Sequence, residues 1–201
     1  DIFSHNAVEL ALQELDEIKN NAKYCGILAL RNTPNGNILG GKQIPEEVNE
    51  TTVMEIQDKY NIRSEFIQFY KTKITLQYRF PQIPGEKFIS PEYLAREINR
   101  RYKFKVSRNI FCYCQYLPDG LTKNKLDVIK KNPKGYTLIK RQSFELAEGF
   151  MAKSKHCLMY IAGCILSGDK NCIRHSPDKL MTVLYYPLGW LAYLIRFRII
   201  R

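Results

Sequence analysis

The sequence predicts an α+β fold: a mixed or antiparallel sheet with flanking helices and a mainly helical C-terminal part. Three observations lead there. Apolar residues recur every three or four positions near the start of the chain and again beyond residue 143, the spacing of a helix with one buried stripe. Between these stretches lie short apolar runs at 25–30 and 110–117, each bounded by turn residues as strands are. The composition, 45% hydrophobic and 25% charged with 11 Gly and 9 Pro in 201 residues, suits a chain that buries a core. It excludes disordered, collagen-like and disulfide-stapled classes.

Taken in order, Asn6 is placed to cap a first helix with the stripe Val8, Ala11, Leu12, Leu15 and Ile18, while Glu9, Glu14, Asp16 and Glu17 fill its other face. The run 25–30 reads as a strand that turns at Asn35-Gly36, a pair suited to positive φ, into a second strand through Ile38 and Leu39. Thr52-Val53-Met54-Glu55 is a capping box opening a helix towards Tyr60. Residues 66–80 read as a half-buried strand with Ile74, Leu76 and Tyr78 on one face. Ser90-Pro91 supplies an N-cap and a first-position proline for a helix to about Tyr102. Leu94, Ala95 and Ile98 face inward there, and Arg96 and Arg100 sit four apart on another face.

A strand over 110–117 breaks at Pro118-Asp119-Gly120, a Lys-rich helix lies near 122–131, and Asn132-Pro133-Lys134-Gly135 forms a turn before a strand at 136–139. Ser143 caps the strongest helix, with Ala147, Phe150, Met151, Leu158, Ile161 and Ile165 on its apolar side and a stop at Ser167-Gly168. Ser176-Pro177-Asp178 starts a last helix, interrupted by Pro187 and Gly189, whose Leu184, Leu188, Leu191 and Ile195 form a core stripe. Its closing run, with Arg196, Arg198 and Arg201, is too short and too charged to cross a bilayer. The expected organisation is an α+β region 1–141, acidic over 1–65 and basic over 66–141, and a helical subdomain 142–201 on the same core.

Charge is the abnormal quantity. Lys and Arg number 31 against 20 Asp and Glu, a net +11. The acidic part carries net −5, the basic part net +12 and the C-terminal part net +4. Such asymmetry points to a polyanionic partner, nucleic acid first, rather than to general solubility. The densest cations are Arg96, Arg100, Arg101, Lys103, Lys105 and Arg108, interleaved with Tyr102 and Phe104, and Lys123, Lys125, Lys130, Lys131 and Lys134 extend the field. Arg and Lys neutralise phosphates and aromatic rings stack on unpaired bases, so these residues are the expected contacts of an accessory nucleic-acid-binding module, RNA or DNA, in a larger replication, transcription or packaging assembly. A different class of reading is a structural or membrane-surface assembly protein. It would use Tyr185, Trp190, Tyr193, Arg196 and Arg198 against a protein partner or an anionic membrane.

No complete catalytic motif is present. Cys112 and Cys114, two apart, and Cys157 and Cys164, seven apart, lack the spacing of a zinc knuckle, so no metal or other cofactor is expected. His175 beside Ser176 and Asp178 is the one polar cluster of catalytic types, and a helix start explains the latter two. No basic segment followed by an apolar one opens the chain at Asp1, and the six cysteines are sparse. The expectation is an intracellular protein, cytoplasmic or nuclear, with free thiols.

One stretch carries a resemblance. Residues 74–127 read as strand, loop, a Ser-Pro-Glu-Tyr-Leu helix, Arg101-Tyr102-Lys103-Phe104-Lys105-Val106, strand, Leu117-Pro118 and a Lys-rich turn. Over about a quarter of the chain this resembles the C-terminal lid domain of acyl-adenylate-forming enzymes. The resemblance implies a part of an enzyme with a catalytic lysine after the Leu-Pro. The family's Gly-Lys is replaced here by Lys123-Asn124-Lys125, which leaves the place of that lysine open, and residues 142–201 have no counterpart.

Overall fold

The computed structural model describes residues 1–117, 120 and 124–199. The fold is α+β with two small sheets, one antiparallel and one mixed, and a helical C-terminal part. The chain divides into unit one, Asp1–Arg79 with Leu94–Leu117, and unit two, Phe80–Tyr93 with Pro118–Arg201.

Unit one runs through β1 (Ile2–Phe3), α1 (Ala7–Glu17), β2 (Tyr24–Leu30), β3 (Glu50–Thr51), α2 (Val53–Asp58), β4 (Phe66–Tyr70) and α3 (Thr72–Thr75). It resumes in α4 (Glu92–Asn99, from Leu94 onward), β5 (Lys103–Val106) and β6 (Cys112–Tyr113). The four-stranded sheet has the order β3-β5-β2-β4. β2 runs parallel to β5 and antiparallel to β4, and β3 is antiparallel to β5. β1 pairs with β6 in a separate antiparallel ribbon.

β2 organises this unit because its side chains enter two different cores, with a register shift between Tyr24 and Gly26 interrupting the plain alternation. Cys25 and Leu28 join Val53 and Ile56 of α2, Ala95 and Ile98 of α4, and Phe104. Ile27 and Ala29 join Ala7 and Ala11 of α1, Ile18 and Phe111. A strand covered on both faces needs a continuous apolar run, which is what Cys-Gly-Ile-Leu-Ala-Leu provides. Gly26 is required there, since a Cβ would stand 1.9 Å from the Phe69 carbonyl oxygen. The capping box forms as its residue types dictate: Glu55 N donates to Thr52 Oγ1 at 3.1 Å, and Thr52 N donates to Glu55 Oε2 at 2.9 Å.

Several expectations change here. α1 exists, but its stripe is turned: Val8 and Leu12 are exposed, while Ala7, Ala11, Glu14 and Ile18 are buried. Glu14 earns burial through Ser107 Oγ at 2.5 Å and Asn109 Nδ2 at 2.6 Å, both donating to its Oε1, polar partners that sequence spacing does not reveal. The turn after β2 is present, yet Ile38 makes only an isolated bridge to Asn32, so no second hairpin strand follows. Residues 66–80 split at Lys71 into β4 and α3, and Leu76 is exposed. Within 110–117 only Cys112–Tyr113 is strand.

Unit two contains α5 (Lys125–Lys131), α6 (Pro133–Leu146), α7 (Phe150–Ser167), α8 (Cys172–His175), α9 (Lys179–Leu194) and a π-helical turn, Ile195–Ile199. The expected turn and strand at 132–139 are instead the start of α6. Pro133 occupies the first turn, where its missing N–H costs nothing. The Glu86 carboxylate accepts from Lys134 N at 2.6 Å and Gly135 N at 2.7 Å, satisfying two otherwise orphaned donors. Asn132 Oδ1 accepts from Lys87 N and Phe88 N, tying the same loop to the helix start.

Ser143 is therefore interior to α6, its hydroxyl donating to Ile139 O at 2.8 Å, and α7 begins after Gly149. Phe150 and Met151, expected in the core, are exposed in the first turn of α7. The expected stop is present, with Gly168 left-handed at φ 69° and its N–H bonded to Cys164 O and Ile165 O. α9 starts as expected, Asp178 Oδ1 accepting from Met181 N at 3.0 Å, but continues unbroken through Pro187 and Gly189. The Leu184, Leu188, Leu191 and Ile195 stripe is exposed rather than buried. Cys157 meets Thr182 and Ile161 meets Gly189, so α7 and α9 run in the same sense. All six cysteines are free and buried.

Candidate polyanion-binding surface

In unit one the dense cation stretch is turned largely onto its own unit. Arg96 is 2% exposed, not solvent-facing, with Nη2 3.5 Å from Gln57 Oε1. Arg100 Nε pairs with Glu97 Oε1 at 3.0 Å. β5 alternates, burying Phe104 and Val106 and putting Lys103 and Lys105 on its other face, where carboxylates meet both. Lys103 lies 3.1 Å from Glu55 and 3.7 Å from Glu50, and Lys105 pairs with Glu17. Burial pulls the Lys103 ammonium down, but the hydrogen bond and charge of Glu55 and Glu50 outweigh it and hold the group above lysine's ordinary value.

Arg108 does a structural task. Its guanidinium donates from Nη1 to Ile44 O at 3.0 Å, and from Nη2 to Pro45 O at 2.8 Å, Glu46 O at 3.2 Å and Val48 O at 2.9 Å, fastening the loop before β3. Arg101 is exposed. Tyr102 packs against the β2 core and Phe104 is fully buried, so Phe104 presents no ring to a base.

Unit two holds the surplus charge. It has 16 Lys and Arg against 8 Asp and Glu, net +8, whereas unit one has 15 against 12, net +3. Lys125, Lys130 and Lys131 are exposed on α5 and Lys134 on the first turn of α6. Lys123 lies outside the described residues, as does Pro118, so of the lid resemblance's Leu-Pro only Leu117 is described, and of its two candidate lysines only Lys125, exposed at the start of α5. The strand that opens that resemblance at Ile74 is helical, within α3.

A cleft of about 350 Å³ opens beside α6. Lys134, Thr137, Leu138 and Arg141 line one wall, the i, i+3, i+4, i+7 positions of a single helix face. The opposite wall is Tyr160, Ser167, Gly168, Asp169 and His175, from α7, its C-terminal turn and α8. Asp169 is fixed by Asn171 N, which donates to Oδ1 at 2.8 Å, and its Oδ2 stands 3.0 Å from His175 Nδ1. The one carboxylate lining the cleft among the described residues is thus engaged in orienting an imidazole, and Lys134 and Arg141 line the same space. Thr137 and Ser167 add hydroxyls 3.2 Å apart.

This arrangement can bind an anion: two cations, an oriented imidazole and two hydroxyls around a space large enough for a small group. Among the residues expected to touch phosphate, Lys134 is in the cleft. Arg141 and Asp169 lie outside the expected set, and His175 belongs to it only as a neighbour of Ser176 and Asp178. His175 pairs with Asp169, six residues upstream, and not with Asp178, whose carboxylate caps α9. A helical reading of 133–146 would have placed Arg141 one face-repeat from Lys134.

The C-terminal aromatic and arginine residues occupy different environments. Tyr185 is half-buried, its hydroxyl 2.9 Å from Ser154 Oγ, and Tyr193 accepts from Arg198 Nε at 3.1 Å. Arg196 lies over the buried Phe197 ring at 5.8 Å, and Trp190 is exposed. Among the described residues no three His, Cys, Asp or Glu side chains gather as a metal would need. Comparison with known protein families, curated proteins and solved structures finds no match to this chain.

Proposed function

We propose that the chain is a polyanion-binding module whose ligand is the phosphodiester backbone of a nucleic acid, received by unit two. The observation that carries this reading is the convergence of Lys134 and Arg141 with His175 on one cleft whose only carboxylate among the described residues is already bonded to that histidine. A phosphate entering the cleft would meet donors on both walls without displacing an ion pair of Lys134 or Arg141 with any described residue. Lys130 and Lys131, at the end of α5, stand just before Lys134 in the chain and would follow the backbone outward. A cleft of this volume suits one phosphate with its sugar, which favours single strands over a duplex face. Backbone contacts of this kind position a ligand without reading its sequence.

The test is fluorescence anisotropy with labelled single-stranded RNA and DNA, comparing the parent chain with Lys134→Glu/Arg141→Glu. Both side chains lie on the surface of α6, and circular dichroism checks that the helices persist. The expected result is at least a tenfold loss of affinity in the double variant. Undiminished binding would remove the cleft from the proposal.

A further inference from the structure

In unit two, α9 and the π-helical turn form one continuous helix, Lys179–Ile199, a candidate membrane span by overall length and composition, with 17% of its apolar eighteen-residue window buried. Both its faces are apolar, and α7 covers only one. Thr182 and Gly189 are buried on that side. On the other, Leu180 (72% exposed), Leu184 (66%), Leu188, Leu191 and Ile195 form a stripe with Trp190 on its flank. At 100° per residue the arc from Leu188 round to Trp190 is about 160°, and from Leu180 to Ile195 the stripe is about 22 Å long. No charged residue interrupts 180–195, while Lys179 stands at one end and Arg196 and Arg198 at the other. The carboxylate next before the stripe, Asp178, is occupied as the cap of α9.

We propose that this face lies on an anionic lipid bilayer, immersed in the boundary between headgroups and acyl chains with the helix axis in the membrane plane. Charge decides between lipid and a second copy of the chain. An antiparallel copy would set Lys179 against the partner's Arg196 and Arg198, and a parallel copy would set like on like, so either pairing places cation beside cation. Anionic headgroups neutralise both ends at once. The width of the stripe agrees, since a single helix partner covers an arc nearer 100°.

Length and packing favour lying over spanning. The sixteen uncharged residues of 180–195 extend about 24 Å, short of a hydrocarbon core of about 30 Å. The face towards α7 is closed to lipid at Gly189, where a Cβ would already stand 2.5 Å from Ile161 Cγ2. The exposed Trp190 and Tyr186 bring amphipathic rings of the kind that settle at headgroup level.

Trp190 is the chain's one tryptophan, so intrinsic emission reports this face directly. The full chain is mixed with vesicles of phosphatidylcholine alone or phosphatidylcholine with phosphatidylserine, then floated and scanned. Expected are co-flotation and a blue-shifted emission with the anionic vesicles, with partitioning more than about tenfold above that on neutral ones. Quenching should be stronger from bromines near the headgroups than from those at the acyl ends. Leu184→Asp/Leu191→Asp, at exposed positions, should abolish the shift with the helical circular dichroism intact. Arg196→Gln/Arg198→Gln should lose most of the preference for the anionic lipid. Unchanged emission, or flotation that survives the double Asp variant, overturns the proposal. Strongest quenching from the acyl ends overturns it in favour of a spanning helix. A lipid-free dimer whose Trp190 is already blue-shifted assigns the face to a second copy.

Discussion

Gly189 of α9 crosses Ile161 of α7 with no room for a side chain: a Cβ on Gly189 would stand 2.5 Å from Ile161 Cγ2 and 2.6 Å from Ile161 Cβ. Gly163, two residues along α7, makes a second close crossing, this time with α6, where its Cβ would meet Thr137 Oγ1 at 3.0 Å. The three helices are held at these two points by the absence of side chains. The first crossing also fixes which face of α9 is buried, since Gly189 must point at α7. That leaves the leucine stripe outside.

Gly189→Ala should lower stability by about 1–2 kcal/mol, because overpacking costs about 1–3 kcal/mol and alanine's better helix propensity returns up to about 1 kcal/mol. Thermal and urea unfolding measure it. In an Ile161→Ala background, itself about 2–5 kcal/mol less stable from the cavity, the added methyl should cost nothing or help. Strict additivity of the two changes would show that the helices do not cross at this pair.

This crossing also explains what could be read from the sequence. The α+β class, β2, the Thr52 capping box, the Asp178 start and the Gly168 stop all rest on local chemistry, and all are present. The failures share a cause, which is that local signals were ambiguous and distant partners decided. Pro133 marks a turn or a first helical turn equally well, and Glu86, nearly fifty residues away, selects the helix. Alternation at Ile74, Leu76 and Tyr78 resembles a strand, but the segment has no pairing partner and coils into α3. α9 is apolar on both faces, so periodicity cannot say which one is inside. For the candidate site, residue type located the cations. Their availability depended on Glu17, Glu50 and Glu55, which arrive from other elements.

The cations of unit one should therefore divide by structural task. Arg108→Ala should cost roughly 1–2 kcal/mol, because four carbonyl acceptors of residues 44–48 lose a charged donor. Arg101→Glu, at an exposed position, should stay within about 0.5 kcal/mol of the parent. Neither change should weaken nucleic-acid binding by more than about twofold if unit two is the receiving surface. A large loss of affinity in Arg101→Glu, with stability unchanged, would move the surface back to unit one.

Alkaline pH should destabilise the fold through its buried thiols. Burial pushes the Cys25 thiol up to about 12 and the Cys157 thiol up to about 11. Unfolded cysteine ionises near 8.5. Below that value both states keep the proton and stability is unaffected. Above it the unfolded chain releases protons that the folded chain retains, so stability falls as pH rises, by about 1.4 kcal/mol per unit for each such thiol until the folded value is reached. Urea midpoints between pH 8 and 11 should decline accordingly, and Cys157→Ser should flatten part of the slope. Native protein should react slowly with a thiol reagent at pH 8 and expose all six thiols in denaturant.

Salt dependence tests how many phosphates unit two neutralises. Five described cations, Lys125, Lys130, Lys131, Lys134 and Arg141, are exposed in α5 and α6. If all five contact a single strand, the logarithm of affinity should fall linearly with the logarithm of salt with a slope of about −3.5. Each phosphate contact removed reduces the slope by about 0.7, so Lys134→Gln/Arg141→Gln should bring it to about −2. Lys130→Gln/Lys131→Gln should produce a similar drop if the backbone follows α5. These neutral variants keep the helix faces and change only the count of released counterions, which separates a contact from a general field effect. A slope unaffected by the Lys134 and Arg141 changes but reduced by those at Lys130 and Lys131 would place the ligand on α5 alone, leaving the cleft to a small free anion. An affinity independent of salt in the parent chain would rule out phosphate contacts altogether.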